Sequence, residues 1–179
     1  MAGPGPSLAS SVRRLAEQVG TARFVDVCVD LLTGADRASY VEELRALTGF
    51  GFEPGAPELD PTRWDDYWVR TWGARGLLHV WDDAAGAAVL AGLHDAHWRP
   101  VEMCLKVVAR HDVAGAGDPV ARLAEHEQPR VRTQVARALA VVGDTEHADV
   151  VRRLLDDPDP AVAAAAERAL TRLAERLGL

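Results

Sequence analysis

The chain has 179 residues, of which 48% are hydrophobic, and its formal net charge at pH 7 is −7. This length and apolar content suffice for one globular domain with a continuous core. The acidic balance argues against general binding to nucleic acids or anionic membranes, because both require a basic surface. The C-terminal third is nearly neutral, so a local arginine-rich face remains open there.

The cysteines and the N terminus indicate the cellular compartment. Cys28 and Cys104 each lie between apolar neighbours, which predicts two buried thiols in a reducing environment rather than a disulfide. The first residues lack the charged and apolar segments of a signal peptide. No apolar run approaches the roughly 20 residues of a membrane span. We therefore expect a cytoplasmic protein with no membrane segment.

The first third of the chain predicts helices that follow no repeat. Residues 1–6 contain two prolines and two glycines with nothing to bury, so we expect them to be disordered. Residues 7–49 contain three segments with helical apolar spacing, each ending in glycine, and predict a three-helix N-terminal cap. Residues 50–60 predict a loop that Phe50 and Phe52 pin to the body.

The remainder of the chain, residues 61–179, is repetitive. Asp60 followed by Pro61 predicts the start of its first helix. Equivalent valines recur at spacings of 32, 30 and 31 residues, at Val69, Val101, Val131 and Val162. Shorter helices are predicted between these segments, at 83–94, 119–126 and 146–156. A helical pair of this kind cannot bury its apolar face alone, so neighbouring pairs are expected to stack.

The most regular unit, residues 128–144, resembles the HEAT repeat family in its short, PBS-lyase-like form of roughly thirty residues. The residues that carry this resemblance are Pro129, Val131, Arg132, Ala138, Leu139, Gly143 and Asp144, and in the last unit Asp159, Pro160, Val162, Ala169 and Leu170. The resemblance covers residues 61–177 and departs in the second unit, where Pro100 is inserted and Glu102 replaces the arginine.

The resemblance implies an all-α fold, a right-handed α-α superhelix or HEAT-like solenoid that follows the three-helix cap. Residues 7–179 are accordingly expected to form a single domain. The repeat is specific for a fold and carries almost no information about function, since one fold hosts many activities.

A cluster of tryptophans departs from the repeat. Trp64, Trp68 and Trp72 are spaced four residues apart, and Trp98 follows in the next unit. In repeat register, Trp68 and Trp72 align with Arg130 and Gln134, so the aromatic residues stand where a later unit is polar. Three interpretations remain open, the third being a mixture of the first two. Either the N-terminal cap covers these tryptophans, or they line a pocket for a ligand or partner.

Charged residues near the tryptophans suggest an enzymatic alternative. Arg70, Arg75 and Arg99 accompany the aromatic residues, and Asp65 or Asp66 would supply a carboxylate. The set resembles the HEAT-like alkylpurine DNA glycosylases, which hold a damaged nucleotide with tryptophan, arginine and aspartate. The negative net charge and the scarcity of lysine argue against it, so a nucleic-acid partner is not expected.

The histidines offer a second enzymatic alternative. Pairs such as His94-Asp95 and His126-Glu127 faintly resemble the iron-binding His-Glu pairs of deoxyhypusine hydroxylase, a HEAT-like enzyme. These pairs lie at helix ends and junctions, whereas metal ligands must converge on one point. We therefore interpret His79, His94, His97, His111, His126 and His147 as solvated loop residues or partners of helix ends.

Together these patterns predict a non-catalytic scaffold or adaptor that binds a protein partner on its concave or tryptophan-rich surface. No catalytic constellation, cofactor site or metal site is expected, and the sequence leaves the oligomeric state undetermined. The predicted binding residues are Trp64, Trp68, Trp72, Trp98, Arg70, Arg75, Arg99 and Asp66. A glycosylase-type enzyme and, less favoured, a metal-dependent hydroxylase remain the alternatives.

Overall fold

The computed structural model of the protein describes residues 7–53 and 55–178, so the predicted disorder of residues 1–6 falls outside the described residues. The described residues form ten α-helices joined by short 3₁₀ turns and contain no β-strand, which confirms the predicted all-α repeat fold. They divide into two compact units, one ending at Ala88 and one beginning at Val89. The single domain over residues 7–179 stays a prediction.

The first unit contains four helices. These are α1 (Leu8–Val19), α2 (Thr21–Leu32), α3 (Val41–Thr48) and α4 (Asp66–His79). Short 3₁₀ turns occupy Arg37–Tyr40, Pro57–Leu59 and Asp83–Ala85. The three predicted cap helices are thus α1, α2 and α3, and they pack against α4, the first long helix of the repetitive region. Apolar side chains of α2, α3 and α4 fill the core between them.

Helix α4 lies directly on helix α2, with glycine at the point of closest approach. A Cβ atom on Gly73 would stand 2.5 Å from the carbonyl oxygen of Cys28 and 2.6 Å from the backbone nitrogen of Leu32. A Cβ atom on Gly76 would likewise overlap the Cys28 side chain. The absence of a side chain lets the two helix backbones touch at Gly73 and leaves room for the Cys28 side chain at Gly76.

The predicted helix start at Asp60-Pro61 is wrong, because α4 begins only at Asp66. The Asp60 carboxylate accepts the backbone N–H of Thr62 at 2.8 Å and its hydroxyl at 2.7 Å. These bonds close a turn that competes with helix formation, and they lower the pKa of Asp60. Trp64 consequently lies in the turn, whereas Trp68 and Trp72 lie on the helix.

The second unit is built from long helices alternating with short ones. The long helices are α6 (Trp98–His111), α8 (Pro129–Val142) and α10 (Pro160–Leu177). The short ones are α5 (Gly86–Gly92), α7 (Gly117–Ala121) and α9 (Ala148–Arg153), of which α5 crosses the division between the units. Helices α7 and α9 are extended by 3₁₀ turns at Arg122–Glu125, Thr145–His147 and Leu154–Asp156. Helix α8 packs between α6 and α10. None of the helices in the described part of the chain is long and apolar enough to span a bilayer.

A largely buried ion pair in the second unit links helix α8 to the segment that precedes α10. Arg132 on α8 donates from Nε and Nη2 to the two carboxylate oxygens of Asp157, at 2.6 and 2.8 Å. Its Nη1 donates to the carbonyl oxygens of His126 and Glu127. The Arg132 side chain is 13% exposed and that of Asp157 is 5% exposed. One guanidinium therefore joins the start of its own helix to the segment that precedes α10.

Candidate functional site

A small cavity in the first unit is lined by three of the predicted tryptophans. Its volume is about 190 Å³. The complete lining, which we call the tryptophan cavity, consists of Thr48, Phe50, Trp64, Trp68, Trp72 and Arg75. Trp68, Trp72 and Arg75 follow one another at intervals of four and three residues on α4, which places them on one face of that helix. Thr48 ends α3, and Phe50 and Trp64 come from the segment that joins α3 to α4.

The tryptophan rings hold one another in place. Trp64 stands edge-on to Trp72, with 5.6 Å between ring centroids and an interplanar angle of 89°. Trp68 lies 6.3 Å from Trp72 at an angle of 25°. Phe52 meets the far edge of Trp72 at 6.1 Å. Such offset and edge-to-face pairs each contribute about 0.5–1.5 kcal/mol beyond their buried area, so the cavity has a well-defined wall.

The burial of the rings favours the mixed interpretation of the tryptophan cluster. Trp72 is only 3% exposed and belongs to the core, whereas Trp64 and Trp68 are partly exposed. The segment after α3 contributes Phe52, which is fully buried, and Phe50, which is 52% exposed although its ring contacts Trp64. The tryptophans are thus covered on one side and remain accessible on the other.

Arg75 is the only charged residue in the lining. Its side chain is half-buried, and it makes no hydrogen bond or ion pair with any residue in 7–53 or 55–178. Desolvation in this apolar setting lowers the pKa of Arg75 below its ordinary value. An arginine keeps its charge at any physiological pH, so a cation without an acceptor faces an aromatic wall.

The other predicted residues of the first unit lie outside the lining. The carboxylate of Asp66 pairs with the guanidinium of Arg37, which is buried and also donates to the carbonyl oxygens of Glu58 and Trp64 at 2.9 Å. Asp66 therefore anchors the start of α4 and the turn that carries Trp64. Arg70 is half-buried on α4 and interacts with other residues. No sequence pattern indicated that Arg37 would be buried.

Trp98 and Arg99 lie in the second unit, in the first turn of α6. The guanidinium carbon of Arg99 lies 4.5 Å from the centroid of the Trp98 ring, and that of Arg130 lies 5.9 Å from it. Cations near an aromatic ring are attracted by its quadrupole. Trp98 is thus paired with cations, and Arg130 is an unpredicted partner that comes from α8.

The histidines at helix junctions act as caps for the backbone. The Nδ1 atoms of His97, His126 and His147 accept the backbone N–H groups of Arg99, Gln128 and Asp144, at 3.3, 3.0 and 2.9 Å. These contacts satisfy N–H groups that helix starts leave without partners. Of the two expected environments, His147 has that of a helix-end partner and not that of a solvated loop residue, because it is only 4% exposed.

His147 also belongs to a group of potential metal ligands with Asp118 and Glu146, the only such group among the described residues. Its Nδ1 accepts an N–H bond from Asp144, so a neutral ring carries its proton on Nε2. That Nε2 lies 3.2 Å from Asp118 and is suited to donate to its carboxylate. A metal would need the lone pair of the same nitrogen, so this arrangement fits a structural hydrogen bond.

The second unit contains an arginine groove whose residues are not among the predicted binding residues. Helices α6, α8 and α10 border a groove of about 280 Å³. Alanines and one valine form much of its floor, and its arginines are Arg137, Arg168 and Arg172. The sequence signs of such a face are the near-neutral charge of the C-terminal third, the shared repeat position of Arg137 and Arg168, and the four-residue spacing of Arg168 and Arg172.

The comparisons with known proteins match part of the chain by sequence and nearly all of it by structure. The family model of HEAT repeats matches residues 86–171. The crystal structure of an engineered protein, a Northeast Structural Genomics Consortium target, superposes with a TM-score of 0.57 at 21% identity, covering 98% of this chain and 86% of that chain. None of the curated proteins compared with the chain matches it significantly. The predicted resemblance to HEAT repeats is thereby confirmed.

Proposed function

We propose that the protein is a non-catalytic scaffold that binds a protein partner at the tryptophan cavity, and the match of residues 86–171 to the HEAT repeat model supports this proposal. The two units would have different roles, because the first unit offers a shaped aromatic surface for binding and the second unit is a stack of helices. HEAT repeats commonly mediate protein interactions, which supports a partner of this class.

One observation carries the proposal. Phe50 and the two partly exposed tryptophans, Trp64 and Trp68, form an apolar surface that remains accessible to solvent. Large aromatic side chains around a pocket are the residues that most often anchor protein partners. A side chain that entered the cavity would replace water against three indole rings and would be desolvated there.

The enzymatic alternatives have less support. A glycosylase would require a free carboxylate at the aromatic surface, whereas neither Asp65 nor Asp66 lines the cavity and Asp66 pairs with Arg37. A metal-dependent hydroxylase would require convergent histidines, whereas His97 and His126 use a ring nitrogen to cap a helix start. Release of a base from alkylated DNA by the purified protein would restore the first alternative.

The proposal is tested with displayed libraries of random peptides, one with blocked and one with free C termini. We expect the wild-type protein to enrich peptides with a large apolar residue. Trp68→Ala removes one wall of the cavity and should reduce binding of the enriched peptides at least about tenfold, since a buried aromatic anchor contributes about 2 kcal/mol or more. Fluorescence anisotropy with the enriched peptides measures the affinity.

The matched control is Trp98→Ala, which removes a tryptophan of the second unit and should leave the affinity unchanged. Far-UV circular dichroism and a urea midpoint establish that each variant folds. Failure of either library to yield a peptide that binds the wild-type protein would contradict the proposal. Equal loss of affinity in Trp68→Ala and Trp98→Ala would show that the peptides bind elsewhere.

A further inference from the structure

We infer that the tryptophan cavity receives the C-terminal residue of a partner chain, with its apolar side chain among the indole rings and its carboxylate on Arg75. The inference rests on the proposed function and names the part of the partner that enters. It starts from the one charged group in the lining, for which the described part of the chain supplies no acceptor.

The first step concerns the charge. A half-buried guanidinium has lost part of its hydration, and this loss is offset only when an acceptor hydrogen bonds to it. Arg37 and Arg132 show how this chain normally satisfies such a group, because each has a carboxylate and two carbonyl oxygens as partners. Arg75 has neither kind of partner among residues 7–53 and 55–178. It is therefore free to bind an incoming carboxylate by charge-assisted hydrogen bonds, with two parallel bonds as the favoured geometry.

The second step concerns size. A cavity of about 150 Å³ holds a benzene molecule, and the tryptophan cavity measures about 190 Å³. The cavity therefore accommodates one ring-sized or branched side chain and has little room for neighbouring residues. A stretch of several residues is too large for it, so an occupant enters end-on.

The third step distinguishes a chain end from an internal segment. A C-terminal residue bears its carboxylate and its side chain on the same Cα atom, so both groups enter a one-residue cavity together. In an extended internal segment, an apolar residue and an acidic neighbour point to opposite sides, and only one of them would reach the lining. Capture of a chain terminus by a few donors is an established mode of peptide recognition.

The experiment uses the full chain and a short fluorescein-labelled peptide that ends in phenylalanine, prepared as the free acid and as the amide. We expect the acid to bind the wild-type protein at least about tenfold more tightly than the amide, since a bond between charged partners exceeds one tenfold step in affinity. Arg75→Gln should abolish this preference. Arg75→Lys keeps the charge and should retain part of it. Arg14→Gln removes an exposed arginine of the same unit and is the matched control.

Each outcome bears on one claim. Equal affinity of acid and amide for the wild-type protein, or an acid preference that survives Arg75→Gln, overturns the inference. If such peptides still need Trp68, the proposed function stands and only the carboxylate assignment fails. If 3-phenylpropanoate alone binds as tightly as the peptide acid, the ligand is a free small acid and the assignment to a chain end is overturned. If no peptide binds, the inference fails together with the proposed function.

Discussion

Replacing Asp157 with asparagine should destabilise the second unit by an amount that depends on pH. The substitution removes the negative charge from the bidentate pair with Arg132, whose bonds measure 2.6 and 2.8 Å. Removing one partner of a buried pair costs about 3–5 kcal/mol. Arg132 retains the carbonyl oxygens of His126 and Glu127 as acceptors, so we expect a loss near the lower end, about 3 kcal/mol.

The sign of the pH dependence follows from the same pair. The hydrogen bond from Arg132 and that from the backbone N–H of Asp159 hold the pKa of Asp157 below its ordinary value. A carboxylate whose pKa is lower in the folded state stabilises the protein at neutral pH, and this contribution is lost as the pH falls through the folded-state pKa. The difference in unfolding free energy between wild type and Asp157→Asn should therefore shrink on acidification.

Urea unfolding followed by circular dichroism, at about pH 7 and about pH 3, measures this difference at neutral and acid pH. Asp156→Asn changes an exposed neighbouring carboxylate and provides the control, with an expected effect within about 0.5 kcal/mol. The reasoning would be refuted if Asp157→Asn and Asp156→Asn were equally stable at neutral pH. It would also be refuted if the gap between wild type and Asp157→Asn were the same at both pH values.

Three further substitutions or treatments test the first unit and the cysteines. Gly73→Ala should lower the unfolding free energy by about 1–3 kcal/mol, because its Cβ would overlap the Cys28 backbone. Gly51→Ala is the control, since a Cβ there meets no atom within 4 Å. Equal melting temperatures of the two variants would contradict this. Arg37→Met should lower the free energy of unfolding in urea by about 1–3 kcal/mol, because partly buried carbonyl oxygens of Glu58 and Trp64 lose their donor, and a stability equal to wild type would count against it. Cys28 and Cys104 are buried and burial raises the pKa of both thiols, so a disulfide reagent should label neither until urea is added; rapid labelling of the native protein would contradict their burial.

The repeat period was sufficient to predict the helices of the second unit. The spacing from Val131 to Val162 placed α8 and α10, because apolar residues at helical intervals must share one buried face. The predicted helix start at Asp60-Pro61 failed because of local hydrogen bonds: the Asp60 carboxylate closes a turn with Thr62 instead of capping a helix. Propensity describes the chain alone and does not include such competing bonds.

The candidate site was predictable only in part. The spacing of Trp68 and Trp72 indicated an aromatic face, but alignment of Trp72 with Gln134 suggested a polar position. Trp72 and Gln134 are in fact both buried. The residue type at an aligned repeat position therefore did not reveal whether that position is exposed. The participation of Thr48 and Phe50 depends on how the segment between α3 and α4 closes over the helix. Such a contact between distant residues has no local signal in the sequence.

The glycine contact between α2 and α4 has a consequence for the thermodynamics of binding. Because the helix backbones touch at Gly73 and the Cys28 side chain packs against Gly76, α4 cannot slide or rotate without breaking these close contacts. Trp68, Trp72 and Arg75 are mounted on that helix. A ligand would therefore meet a receptor whose shape is already set, and little conformational entropy would be lost on association. We expect fast, single-step association kinetics and nearly unchanged hydrogen exchange in α4 when a ligand binds.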